Sequence, residues 1–154
     1  GIEPVFVTRC GDVIEQVSNH SDILFSYLGN GCYMSEKSQV SLETALNSLG
    51  FKSENNLICL SAVYPNDVVL NTCIIGDKIL GSAAVKDVWL CDSREFVSVK
   101  QGYAKCSVCV VDEHSLITDD SSIADVCRKN EIDALLVGKG SVKLNGFNYG
   151  FIGY

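Results

Sequence analysis

The sequence predicts an α/β chain built from repeated ββαβ modules, arranged propeller-like around an axis in an incomplete ring. Three observations carry this. Hairpin signals recur at Gly29-Asn30-Gly31, at Gly76-Asp77 and at the polar run Asp112 to Ser115. Each is followed by a helical pattern and then by another apolar run. The units start near Asp22, Asp67, Lys105 and Asn148, a spacing of about 40 residues, which is the signature of stacked supersecondary units. Four-stranded blades would share that spacing, but a helix inside each unit favours ββαβ. The whole of 1–154 reads as a single domain whose fourth unit begins at Asn148 and lacks its C-terminal portion.

In the first unit, Asn19-His20-Ser21-Asp22 precedes the apolar run Ile23 to Leu28, expected as a strand, and Cys32-Tyr33-Met34 returns from the turn. Leu42, Ala45, Leu46 and Leu49 fall on one helix face, Gly50 sits where a left-handed cap belongs, and Leu57 to Leu60 reads as the closing strand. Upstream, Val5-Phe6-Val7 is a short apolar run, and Val13, Ile14 and Val17 have weak helical spacing whose state stays open. In the second unit Val68 to Ile75 reads as a strand, Ile79-Leu80 as its return, Val85, Val88 and Trp89 as a helix, and Phe96 to Val99 as a strand. The third unit has apolar segments Cys106 to Val111 and Leu116 to Thr118, then a helix capped at Asp120-Ser121-Ser122 through Ile123, Val126 and Cys127. Asn130 closes that helix, and Ile132 to Val137 reads as a buried strand.

Composition limits the function classes. At 154 residues and 47% hydrophobic, the chain has enough apolar material for a core, and its net charge of -7 opposes nucleic acid, whose phosphates need a basic face. No apolar run reaches the ~20 residues of a membrane span, and no polybasic patch addresses a membrane surface. Of the eight cysteines, Cys59, Cys73, Cys91, Cys109 and Cys127 lie in apolar patterns where a free thiol packs as a small hydrophobe, so a reducing cytoplasm is the expected setting. Cys106-x-x-Cys109 has zinc-like spacing. On a strand, residues three apart point to opposite faces, and no second Cys or His pair accompanies them, so no metal and no cofactor is expected. The Gly-rich runs lack phosphate-loop spacing and are turns.

The segments Val99 to Ser107 with Leu116 to Asp120, Tyr64-Pro-Asn-Asp-Val-Val-Leu-Asn71, and Gly146 to Gly153 resemble those of a bacterial group of pentein-like proteins. The pentein superfamily is a ring of ββαβ modules. Its known enzymes modify guanidines: arginine deiminases, dimethylarginine hydrolases and amidinotransferases. Another branch is non-catalytic and binds the large ribosomal subunit. The resemblance spans nearly the whole chain and implies either a guanidino- or amidino-group protein or a binding module for a protein, ribosomal or small cationic partner.

The enzymes carry His-x-Asp at the start of an apolar strand, which His20-Ser21-Asp22 matches. Residues two apart on a strand share a face, so His20 as proton shuttle and Asp22 as guanidinium receptor would project together; an ordinary polar turn is the alternative. Asp67 holds the matching place one unit later, either lining the same cavity or capping a turn, and Asn71 falls in the same resembling segment as a substrate-binding candidate. The family's nucleophilic cysteine lies near the end of its last module, a position outside this sequence. Cys106 is the fallback nucleophile, with Lys105 adjacent, although neighbours on a strand face opposite ways. His114 at a hairpin tip is expected to be exposed and idle. Arginine-like compounds are therefore the expected ligands, with turnover absent and self-association expected through open strand edges.

Overall fold

The computed structural model describes residues 4–140 together with 142, 143, 150, 152 and 153. The chain divides into two compact units, Gly1–Leu70 and Asn71–Tyr154.

The first unit holds one three-stranded sheet. A helical turn, α1 (Ser21–Leu24), leads into β1 (Phe25–Gly29), which pairs antiparallel with β2 (Cys32–Glu36). Helix α2 (Val40–Ser48) then carries the chain back to β3 (Lys52–Ile58), parallel to β2. The tight β1–β2 turn uses positive φ at Gly29, Asn30 and Gly31, residue types that tolerate it. Gly50, at φ 89, ends α2 in the left-handed conformation, and Phe51 N–H donates back to Leu46 O at 3.1 Å.

Several boundaries in this unit differ from the sequence reading. Ile23 and Leu24 are helical, because their N–H groups both donate to His20 O (3.1 and 3.3 Å), and extended structure begins only at Phe25. The closing strand starts at Lys52, five residues before Leu57, since its pairing with β2 begins at Cys32↔Lys52. On α2 the predicted apolar face is buried only at Leu42, whereas Leu49 is exposed. Of Val13, Ile14 and Val17, only Val17 lies in a helical segment, a short 3-10 turn over Glu15–Val17 that the extended Ile14 precedes.

The second unit repeats the topology twice. β4 (Cys73–Ile75) pairs antiparallel with β5 (Lys78–Ser82), a 3-10 segment spans Ala83–Trp89, and β6 (Glu95–Val99) lies parallel to β5. Then β7 (Val108–Val110) pairs antiparallel with β8 (Ser115–Thr118), α3 (Ser121–Lys129) crosses over, and β9 (Asp133–Leu136) runs parallel to β8. Each of the three sheets among the described residues therefore has its middle strand second in sequence. Asp120 caps α3, its Oδ1 accepting the N–H of Ser122 (2.8 Å) and of Ile123 (3.2 Å). Cys73, Ile75, Leu80, Val97, Val99, Val108, Leu116, Ile123, Cys127 and Ile132 form a common core for both sheets of this unit.

Here too the structure corrects details. Val68 to Thr72 is loop, and the strand expected over Val68–Ile75 begins only at Cys73. Cys106 lies in a 3-10 turn (Lys105–Ser107), not on a strand, because Ser107 N–H donates back to Tyr103 O and Ala104 O. β9 is largely exposed, with Leu135 60% exposed, where a buried strand was expected; among the described residues it is an edge strand paired with β8 alone. Cys59, Cys91 and Cys109 are exposed, against the expectation of packed thiols, while Cys73, Cys106 and Cys127 are buried. Burial pushes the Cys73 thiol up to about 12 and the Cys127 thiol up to about 11. The hairpin expected from Asn148 lies mostly outside the described residues. Among them, no helix is long and apolar enough to cross a membrane.

Candidate functional site

His20 is the residue that opens α1, in an extended conformation (φ -78, ψ 121), and Asp22 lies in the first turn. The turn brings them together: His20 Nδ1 stands 4.0 Å from Asp22 Oδ1. Sequence parity anticipated this neighbourhood for the wrong reason, since the two residues share a helical turn and not a strand face. Asp22 is 5% exposed, while the imidazole retains partial access to water. A buried carboxylate beside an accessible imidazole gives one acceptor for a cation and one group able to carry a proton.

Asp67 is buried at the end of the turn Tyr64–Asp67, where Val68 N–H donates to Pro65 O at 3.1 Å. It is a loop residue that precedes no strand directly. His114 is exposed at the β7–β8 tip, as its position suggested, and its N–H donates to Asp112 Oδ1 at 2.8 Å.

Within the second unit, Asn71 and Cys106 meet. Asn71 is fully buried, and its Oδ1 accepts the backbone N–H of Lys105 (3.0 Å) and of Cys106 (3.3 Å). Those two acceptor contacts fix the amide orientation and turn Nδ2 towards Cys106 Sγ, 2.9 Å away. From the other side, Gly153 N–H donates to Cys106 O at 2.8 Å. A side chain at 153 would collide with this turn, since a Cβ there would overlap Lys105 O and Val108 O. Thr118 Oγ1 donates to Ser107 O at 2.7 Å, tying the turn to β8. Cys106, 1% exposed, is thus the centre of a buried polar lock. Among the described residues no group of three or more His, Cys, Asp or Glu is placed to hold a metal ion.

A family model matches residues 1–153. The chain belongs to the family of unknown function DUF6873. No curated protein and no solved structure matches this DUF6873 chain.

Sequence reasoning passed over the buried polar end of β2. In this DUF6873 chain Ser35, Glu36 and Gln39 are all fully buried. Gln39 makes a reciprocal pair with Thr8, donating Nε2 to Thr8 O and accepting Thr8 N–H at Oε1, both at 2.7 Å. The signal was available in strand alternation: Cys32, Met34 and Glu36 share a face, so a carboxylate falls on the same side as Met34.

Proposed function

We propose that this DUF6873 chain is a pentein-type ββαβ domain whose His20–Asp22 corner receives the guanidinium or amidinium group of a small ligand, without turnover by the chain. The observation that carries the reading is the topology. An antiparallel pair, a helical crossover and a parallel third strand occur three times over, in β1–β3, β4–β6 and β7–β9. A propeller-like ring of such modules is the arrangement this repetition favours. The pentein resemblance of the sequence points to the same chemistry.

The site chemistry fits a cation with paired N–H donors. Asp22 is buried and acceptor-only when ionised, and a planar guanidinium meets both oxygens of a carboxylate in a bidentate, charge-assisted contact. The adjacent His20 is then the group that senses or relays a proton. The reading without turnover is supported by Cys106, whose sulfur is buried and engaged by Asn71 instead of facing solvent. Calorimetric titration with arginine, agmatine and methylarginines on the wild type and on Asp22→Ala tests the reading. Binding by the wild type that is lost in Asp22→Ala is expected. No binding by either protein, or equal binding by both, removes the assignment.

A second reading, a binding module for a protein partner, draws on the outer face of the third sheet. There Cys109, Ile117 and Leu135 form one cross-strand row, and its two outer members are exposed.

A further inference from the structure

Glu36 ends β2 on the face turned away from α2. Tyr33 and Ser35 face the helix, Tyr33 Oη donating to Asn47 Oδ1 at 3.1 Å and Ser35 Oγ to Glu43 Oε1 at 2.5 Å. Strand alternation sends Met34 and Glu36 the other way. Glu36 is fully buried, and its Oε2 accepts the backbone N–H of Ser38 (2.9 Å) and the Ser38 hydroxyl. Its Oε1 is buried and accepts no hydrogen bond among the described residues. Among the described residues no Lys, Arg or His stands within ion-pair distance of it. Buried carboxylates are ordinarily paired, and an orphaned oxygen marks a place where a ligand, an ion or water completes the group. A metal ion is a poor candidate. Hard cations need several oxygen ligands, and no described cluster supplies them. An N–H donor needs only the one open oxygen.

We propose that Glu36 Oε1 is the receptor for an N–H-bearing organic cation, an alkylammonium or alkylguanidinium group. The next two residues, Lys37 and Ser38, are exposed, and Ser38 donates to the other carboxylate oxygen, Oε2, so the group lies directly beneath solvent-facing chain. The two donors on Oε2 hold the carboxylate in place. The proposal does not depend on His20 or Asp22, and its test separates the two sites.

The experiment is thermal unfolding of the protein with methylammonium, methylguanidinium or tetramethylammonium chloride at matched ionic strength. Tetramethylammonium carries the same charge but has no N–H. A ligand that binds only the folded state raises Tm with its concentration. The expected result is a dose-dependent rise with methylammonium or methylguanidinium, no rise with tetramethylammonium, and retention of the rise in Asp22→Ala. Glu36→Gln, nearly isosteric but neutral, abolishes it, and Glu36→Met, which fills the same space without polar atoms, does so as well and serves alone if the first variant fails to fold. The proposal is overturned if neither N–H cation raises the wild-type Tm, or if tetramethylammonium raises it equally. It is equally overturned if the rise survives a Glu36 substitution, or if Asp22→Ala removes it.

Discussion

Replacing Asn71 by Ala tests how the second unit is held together. The substitution removes the acceptor used by Lys105 N–H and Cys106 N–H and the donor to Cys106 Sγ. Stranding a buried polar group costs about 1–3 kcal/mol, and a lost hydrogen bond about 1 kcal/mol net. With two backbone donors and the sulfur contact affected, a loss of about 3–5 kcal/mol is expected. Such a loss is a large fraction of the ~5–15 kcal/mol stability of an ordinary domain. Cys106→Ala removes only the sulfur contact and a small apolar volume, so it should cost about 1–2 kcal/mol. Urea unfolding followed by circular dichroism measures both. If Asn71→Ala costs less than Cys106→Ala, or under about 1 kcal/mol, the amide is not the organiser of this turn.

Other outcomes follow from the same geometry. Asp120→Ala should destabilise the protein by about 1 kcal/mol through loss of the α3 cap. Burial works to raise the Asp120 carboxyl, but Ser122, the Ile123 N–H and Lys139 outweigh it and hold it below its ordinary value. The unfolded chain therefore binds this proton more readily. The contribution is fully present above the unfolded carboxyl range and is lost as pH falls through the folded value, so the wild type and Asp120→Ala should converge in urea titrations repeated at acid pH. Gly153→Ala should lower Tm, because its Cβ would meet two backbone oxygens, whereas Gly138→Ala, with open space around it, should not. Timed alkylation read by peptide mass spectrometry should label Cys59, Cys91 and Cys109 in the folded state, with Cys73 and Cys127 protected until unfolding.

The modules were legible because their punctuation is local. Gly76-Asp77 and Gly29-Asn30-Gly31 are turns by backbone necessity, and the Asp120 cap declares the start of α3 within three residues. What escaped was set by tertiary context. Ile23 and Leu24 have strand-like composition, yet one turn of backbone bonding to His20 O makes them helical. Cys106 reads as the first residue of an apolar strand, but a backbone turn and an asparagine 35 positions earlier in sequence fix its conformation. The His20–Asp22 neighbourhood was visible in the spacing and its cause was not. Glu36 went unnoticed because one carboxylate at a strand end looks like solvent-facing charge until burial is known.

The guanidinium assignment is tested most directly by a crystal structure of the protein grown with agmatine, which carries that group at one end. The account predicts a planar guanidinium hydrogen-bonded to both oxygens of Asp22 beside His20. Agmatine seated elsewhere with Asp22 untouched, or no bound agmatine at millimolar ligand, would contradict it.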